Sequence, residues 1–334
     1  MAAQLTNAKN VQAKHEPTIA TLNFYPNKDA RRRTFALWYF GVLMIVLNVL
    51  GHTVLGFEQA WILPFIAVGS ACAAQLVLEF VDCWANDRKP RLGNNLFQVI
   101  SFFLPSMITG FACAMLLFPN EHVMPIVFAA VLSIASKLLF RAPVGNGTQH
   151  FFNPSNLGIT ITLLLFPFVG VSPPYHFTEN VTGIWDWVVP GVILFTGILI
   201  HGFCTGRLPL VLAWLGGFVL QAVVRHFIFA VPLLVPLVPM TSAAFILFTL
   251  YMIPDPATTP IKIPGQIAFG MAVALIYGLS QAMHMVFGLF LVLTFVSLVR
   301  GVALTVMAAH TRNRELEIVD KMPPKHAPEA HLAK

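Results

Sequence analysis

Long runs of apolar residues alternate with short polar segments along almost the whole chain. A helix needs about 20 mostly apolar residues to cross the hydrocarbon core of a bilayer. The runs are continuous, unlike the alternating ten-residue segments of a membrane β-barrel. The pattern predicts ten spans, at residues 34–55, 60–81, 96–118, 123–140, 154–171, 187–204, 208–224, 235–253, 266–283 and 286–309.

The segment 225–241 fits this pattern least well. It is apolar but contains Pro232, Pro236 and Pro239, so a loop, a re-entrant segment and a kinked helix start all stay open.

Around the predicted transmembrane domain at 34–309, residues 1–33 form a basic tail and residues 310–334 a second tail. The first 30 residues are polar and lack the apolar core of a signal peptide, so we expect the first span to insert the chain.

Charge is scarce and unevenly placed. Hydrophobic residues make up 57% of the chain and charged residues 10%, against roughly 25% charged in soluble domains. A soluble enzyme, a disordered protein and a nucleic-acid-binding domain are therefore excluded. Lys and Arg concentrate in the two tails and the even-numbered loops, which explains the net charge of +6. The positive-inside rule then predicts cytoplasmic N and C termini in a multi-pass protein of the bacterial inner membrane.

The sequence lacks the motifs of common soluble catalytic sites. Because no Ser–His–Asp, HExxH, GxGxxG or Walker pattern occurs, we assign no catalytic residue. The four cysteines stand singly, which predicts no metal or iron–sulfur site. Among the few ionisable residues within apolar runs, Glu79 and Lys137 are candidates for an ion pair.

A polar cluster opens the fifth predicted span, at residues 145–158. Asn153 suits a helix cap and Pro154 the first helical position, so both have a structural explanation. That explanation does not cover Asn156, which stands three residues after Asn153 and can share its helix face. Two amides at the positive end of a helix predict a site for a planar ligand with several carbonyl groups.

A second polar cluster closes the eighth span, where three prolines within residues 254–260 stop the helix. Asp255 lies between two of these prolines. It is either a turn residue or a charge partner at the membrane level of Asn153. The same span begins with the small polar residues Thr241 and Ser242, which allow a backbone or a ligand to approach closely.

Three segments resemble motifs of one membrane protein family. Residues 150–167, with Asn153, Pro154 and Gly158, resemble its "FNPxxxG…FP" segment. Residues 241–259 resemble "SGGxxxxAFFxxTDPVTS", and residues 105–110 resemble "SAxxTxxxLAL". The family is RnfD/NqrB, the flavin-carrying membrane subunits of Rnf and Na⁺-pumping NADH:quinone oxidoreductase complexes. The resemblance covers about residues 30–305, and the shorter UnbU-like branch is the most similar.

The resemblance implies an all-α membrane domain of two inverted five-helix repeats, at about residues 34–171 and 185–309. It further implies an electron-transfer subunit that holds riboflavin or FMN near the cytoplasmic side, within a larger complex. The cofactor-binding residues that follow from the matched motifs are Ser106, Thr109, Asn153, Asn156, Thr241, Ser242, Asp255, Thr258 and Thr259.

The family also carries a second FMN, linked through its phosphate to the threonine of a Ser-Gly-Ala-Thr motif. That motif is absent here, and Thr182 stands at the corresponding position after the fifth span. The departure favours a non-covalent flavin over a covalent FMN at Thr182.

Two other functions remain open at the level of sequence. An inverted-repeat bundle with polar helix ends is also the plan of a small-solute channel or transporter. A cofactor-free structural or biosynthetic accessory subunit would keep the same fold. For an electron-transfer subunit we expect partner redox subunits besides the lipid bilayer, since the chain has no NADH-binding or haem motif, and no nucleic-acid partner.

Overall fold

The computed structural model describes residues 27–145, 147–173 and 177–320, and these form a bundle of helices. The predicted tails fall largely outside them, at 1–26 and 321–334. The helices are α1 (Asn27–Leu50), α2 (Ile62–Asn86), α3 (Leu96–Leu116), α4 (Met124–Leu139), α5 (Pro154–Leu165), α6 (Trp185–Leu199), α7 (Leu208–Phe229), α8 (Ala243–Leu247), α9 (Ile263–Ala282) and α10 (Gly288–Asp320). Wider π-helical turns continue α1 over Gly51–Leu55, α6 over Ile200–Thr205 and α8 over Phe248–Met252.

The helix lengths are those of a multi-pass membrane protein. Within the described residues, seven helices are long and apolar enough to cross a bilayer, and an eighth span results if one bent pair is counted. Large apolar side chains such as Phe65, Phe227 and Phe295 point outward from the bundle, as lipid contact requires. The protein is therefore embedded in a bilayer by several helices. Each of the ten predicted stretches coincides with a helical segment, but not all ten have the length of a span.

The fifth predicted span, 154–171, is wrong in its length. α5 has only 12 residues and ends at Leu165, which gives about 18 Å against a hydrocarbon core of about 30 Å. Pro167 disfavours a helical conformation at Phe166, and strand β4 (Gly170–Val171) then pairs with β1 (Leu117–Phe118). α4, at 16 residues, is also shorter than its neighbours.

The eighth predicted span, 235–253, is broken rather than continuous. Residues Val235–Thr241 form a 3₁₀ helix that contains Pro236 and Pro239, and the chain bends by 79° before Phe245–Met252. Proline removes a backbone donor and clashes with the preceding turn, which explains the break. Of the segment 225–241, residues up to Phe229 belong to α7, and the bent pair that follows has the form of a broken span or of a re-entrant segment.

Three helix contacts of the first half have counterparts in the second half. In the first half α1 packs on α3, α2 on α4, and α4 on α5. In the second half α6 packs on α8, α7 on α9, and α9 on α10. The first helix of each half ends in a π-helical turn followed by a left-handed glycine, Gly56 at φ 85° and Gly206 at φ 63°.

Close helix contacts depend on glycine at one crossing in each half. A Cβ at Gly158 on α5 would stand 2.4 Å from the Ala129 carbonyl oxygen on α4. A Cβ at Gly270 on α9 would stand 2.6 Å from the Leu210 carbonyl oxygen on α7. Small residues at these crossings let the backbones approach closely.

One end of the bundle is rich in basic residues and is called the basic end here; it holds the starts of α1, α3 and α5 and the ends of α6 and α8. A hairpin of β2 (Arg141–Val144) and β3 (Gly147–His150) connects α4 to α5 there. The opposite end is tied by Gln59, whose amide donates to the Leu117 carbonyl oxygen at 2.6 Å and the Ser172 hydroxyl at 3.1 Å.

Candidate functional site

A cavity of about 1300 Å³ enters the bundle from the basic end. Its wall is built by α1 to α5, the β2–β3 hairpin, and the final turns of α6 and α8. It runs along α3 from Gln98 to Leu116, which is about 27 Å at 1.5 Å per residue. Pockets for small ligands measure about 300–1,000 Å³, so this cavity has room for a large ligand or for two.

Asn153 stands at the cavity wall and holds two distant helix ends together. Its Oδ1 accepts the Asn156 backbone N–H at 3.1 Å and the Ser155 hydroxyl at 3.0 Å, which caps α5. Its Nδ2 donates to the Met252 carbonyl oxygen at 2.9 Å, at the end of α8. An amide nitrogen carries two donor hydrogens, and the second one on Asn153 has no acceptor among the described residues.

Asn156 does not line the cavity and turns towards α10 instead. Its Nδ2 donates to the Phe290 carbonyl oxygen at 3.1 Å and to the Thr294 hydroxyl at 2.8 Å. Thr160, one turn further along α5, bonds to the same two groups. The sequence places the two asparagines on one helix face, but they make different contacts. Asn153 joins α5 to α8, and Asn156 joins α5 to α10.

Asp255 lines the cavity, while Thr258 and Thr259 support it from behind. The Asp255 carboxylate accepts the Ala257 backbone N–H and the Thr258 hydroxyl, both at 3.1 Å. The Thr259 hydroxyl donates to the Asp255 carbonyl oxygen at 2.7 Å. Both threonines are buried, so they fix the turn from within the protein.

Two arginines clamp the same turn. Arg207, after the π-helical turn of α6, donates to the carbonyl oxygens of Pro260 at 2.8 Å and Pro256 at 3.1 Å. Arg300 on α10 donates to the Thr258 carbonyl oxygen at 2.8 Å. The proline-rich turn cannot satisfy these carbonyl groups in a helix, and the guanidinium groups satisfy them instead.

The third motif segment contributes one of its two predicted residues to the cavity wall. Thr109 lines the cavity and donates to the Pro105 carbonyl oxygen at 2.8 Å. Ser106 does not line the cavity; it is fully buried and donates at 3.3 Å to the side chain of Gln75, which does line it. Pro105, inside α3 and directly before Ser106, also lines the cavity.

The remaining predicted site residues lie elsewhere. Thr241 and Ser242 stand before α8, where their hydroxyls donate to the carbonyl oxygens of Val238 and Pro239 and Ser242 accepts the Phe245 N–H. Thr182 is exposed in the loop whose Asn180 N–H bonds to the Leu55 carbonyl oxygen, at the opposite end of the bundle. None of the three lines the cavity.

The charged residues of the cavity wall are mostly positive. Six lysine or arginine residues line it against two carboxylates, Glu79 and Asp255. The hypothesis of a Glu79–Lys137 ion pair is wrong, because Arg88 binds both Glu79 oxygens at 2.6 and 3.0 Å and also binds Asp82. The two carboxylates raise the pKa of Arg88, so this pairing stays charged. The basic residues are Arg32, Lys89, Arg91, Lys137, Arg141 and Arg207.

Three basic side chains meet at the mouth of the cavity. Lys137 lies in the last turn of α4, and Arg141 and His150 face each other in the β2–β3 register. The Arg141 guanidinium donates to the Thr148 hydroxyl at 3.0 Å and its carbonyl oxygen at 2.8 Å, both neutral groups. Burial is the main cause that lowers the pKa of His150 to about 4; Asp255 opposes the shift, and the charges of Lys137 and Arg141 add to it.

Aromatic rings and an unsatisfied hydroxyl complete the wall. Phe40 and Tyr251 stack with ring centroids 5.3 Å apart and an angle of 11° between planes. The Ser101 hydroxyl is buried beside the cavity without a hydrogen-bond partner among the described residues. No sequence motif indicates that Phe40, Tyr251 or Ser101 lines a cavity. Of the wall residues outside the motifs, Lys137 is one that the sequence marks, as a charged residue within an apolar run.

No protein-family model matches the chain, and no curated protein is significantly similar to it. The chemistry of the cavity therefore has to be argued from its own residues.

Proposed function

We propose that the chain is a membrane electron-transfer subunit that binds riboflavin or FMN non-covalently in the cavity. One observation carries the proposal. Three sequence segments that resemble flavin-subunit motifs contribute Thr109, Asn153 and Asp255 to the same cavity wall, although consecutive residues of the three are 44 and 102 positions apart in the chain. If the three segments resembled the motifs only by chance, there would be no reason for their residues to line the same cavity.

The residues of the wall suit a flat ring system with a polar edge. Phe40 and Tyr251 offer aromatic faces, while Asn153, Thr109 and Ser101 offer hydrogen-bonding groups. A flavin supplies reversible electron transfer, and the protein's part is to orient it and exclude water. Electrons would come from and go to partner subunits, since the sequence has no motif for another cofactor.

The proposed topology has ten membrane-entering segments in two inverted repeats, with both termini cytoplasmic. The matching helix contacts in the two halves support a repeat, as do the π-helical turns before Gly56 and Gly206. An odd number of segments in each half inverts the second relative to the first. The basic end, which contains the cavity mouth, would then face the cytoplasm of a bacterial cell.

The cofactor content of the purified protein tests the proposal. Protein in detergent should release riboflavin or FMN on denaturation, and Asn153→Ala should lower the flavin-to-protein ratio. The matched variant Ser242→Ala, outside the cavity, should leave that ratio unchanged. Colourless protein that also fails to take up added flavin would exclude the function. A fluorescent band on a denaturing gel, lost in Thr182→Ala, would show covalent attachment instead.

A small-solute transporter is the second candidate, and the break between Val235–Thr241 and Phe245–Met252 favours it. Discontinuous helices at a central site are the usual plan of such proteins. Uptake of a solute by vesicles that contain only this protein, with no bound flavin, would establish this alternative.

A further inference from the structure

We propose that the cavity binds a ligand carrying a phosphate monoester, with the phosphate beside Lys137 and an apolar body along α3. FMN is one molecule of this kind, and in that form the inference rests on the proposed function. A lipid phosphate has the same chemistry and requires no flavin. The phosphate is the shared feature, and the two sources are separable by experiment.

Lys137 carries a charge for which the described residues provide no ion-pair partner. It lies in the last turn of a 16-residue apolar helix and faces the cavity. It makes no hydrogen bond or ion pair of 4.0 Å or less within the described residues. A lysine in such a helix is costly unless a partner compensates its charge, and such residues usually mark functional sites. A ligand anion in the cavity provides that partner.

Neither carboxylate of the wall forms an ion pair with Lys137. Glu79 accepts two hydrogen bonds from Arg88 and one from the Arg91 backbone N–H at 2.9 Å. Asp255 accepts hydrogen bonds within its own turn. Because six lysine or arginine residues and two carboxylates line the cavity, its wall carries a net positive charge. A phosphate monoester carries about −1.5 to −2 near neutral pH and three acceptor oxygens, so it matches this surplus better than a carboxylate does.

The inner part of the cavity is apolar, so the part of the ligand that lies there should be apolar too. Met44, Ile108, Ala112, Met115 and Leu247 line it, far along α3 from the basic mouth. A free inorganic phosphate would leave this surface unfilled. The combination of a cationic mouth and an apolar inner part, in a cavity that runs about 27 Å along α3, fits an amphipathic molecule held by its charged head.

Binding of paired probes tests the inference. Full-length protein in nanodiscs is titrated with FMN and riboflavin, and with farnesyl phosphate and farnesol. At least one phosphate should bind roughly tenfold or more tightly than its alcohol, as a charge-assisted hydrogen bond provides. Lys137→Gln should remove this preference and Lys137→Arg should restore it. Lys262→Gln, an exposed lysine before α9 that does not line the cavity, should retain it.

Each outcome separates the two proposals. A phosphate preference in the farnesyl pair, with neither flavin bound, supports the inference and removes the flavin function. Equal binding of FMN and riboflavin, with no farnesyl preference, overturns the inference and leaves the flavin function standing. Failure of all four probes overturns both. A preference that survives in Lys137→Gln, with an unchanged unfolding temperature, overturns the placement of the phosphate at Lys137.

Discussion

The Asn153 side chain donates a 2.9 Å hydrogen bond to the Met252 carbonyl oxygen and so joins the start of α5 to the end of α8. The two residues are 99 positions apart in the chain. Asn153 also caps α5, so one side chain performs a local and a long-range task. The wall of the cavity depends on both, because each partner lies in a segment that lines it.

Replacement of Asn153 by Ala should therefore cost more than the loss of a helix cap. We expect the free energy of unfolding to fall by about 1–3 kcal/mol, since a buried carbonyl group also loses its donor. Asn95→Ala is the control, because Asn95 caps α3 through the Gln98 N–H at an exposed site. It should cost about 1 kcal/mol or less. Denaturant unfolding in detergent measures both, and equal losses would contradict a long-range role.

Arg207 should be irreplaceable by lysine at the proline-rich turn. One ammonium group cannot make two bonds in the planar geometry by which Arg207 reaches Pro256 and Pro260. Arg207→Lys should raise amide hydrogen exchange at Thr258 and Thr259 and lower stability by about 2 kcal/mol. Arg225→Lys is the control, since Arg225 makes no hydrogen bond with the described residues. Unchanged exchange at the two threonines in Arg207→Lys would show that the clamp is not needed.

The sequence predicts local features of this fold better than long-range ones. Apolar runs locate every helical segment, and Asn153 and Pro154 mark the start of α5 as expected. The end of α5 was misplaced, because apolar residues beyond Pro167 continue the hydropathy pattern while β4 pairs with β1. Hydropathy measures transfer to an apolar phase, and a buried loop can satisfy it as well as a helix.

The candidate site shows the same limit. Spacing places Asn153 and Asn156 together, but whether an amide faces a cavity or another helix depends on contacts 130 or more residues away, such as Phe290. Lys137 was visible as a charge in an apolar run, yet its assignment to Glu79 failed because Arg88 is a closer partner. Pairing of charges needs the three-dimensional arrangement.

Gly158 should tolerate no larger side chain. A Cβ there would lie 2.0 Å from the Ser133 hydroxyl and 2.4 Å from the Ala129 carbonyl oxygen, and the carbonyl cannot rotate away. Gly158→Ala should destabilise the protein by about 1–3 kcal/mol through overpacking between α4 and α5. Gly191→Ala on α6, with no atom within 4 Å of its Cβ, should be neutral or stabilise by up to about 1 kcal/mol. Thermal unfolding measures the two, and equal midpoints would contradict the close approach.

His150 should make stability depend on pH in the acidic range. Its pKa is about 4 in the folded protein, against about 6.5 in an unfolded chain. Between these values the unfolded state binds more protons, so the free energy of unfolding falls as pH drops from about 6.5 to about 4. Above about 6.5 the imidazole is neutral in both states and contributes no slope.

His150→Gln should reduce the change of the unfolding midpoint with pH between pH 6.5 and pH 4, because the variant has no imidazole to protonate at the cavity mouth. His310→Gln, on the exposed part of α10, should retain the wild-type slope. The measurement is a series of thermal unfolding curves at fixed ionic strength, so that screening of Lys137 and Arg141 does not change along the series. An unaltered slope in His150→Gln would mean that other groups carry the acid sensitivity and that the charges at the mouth do not act on His150.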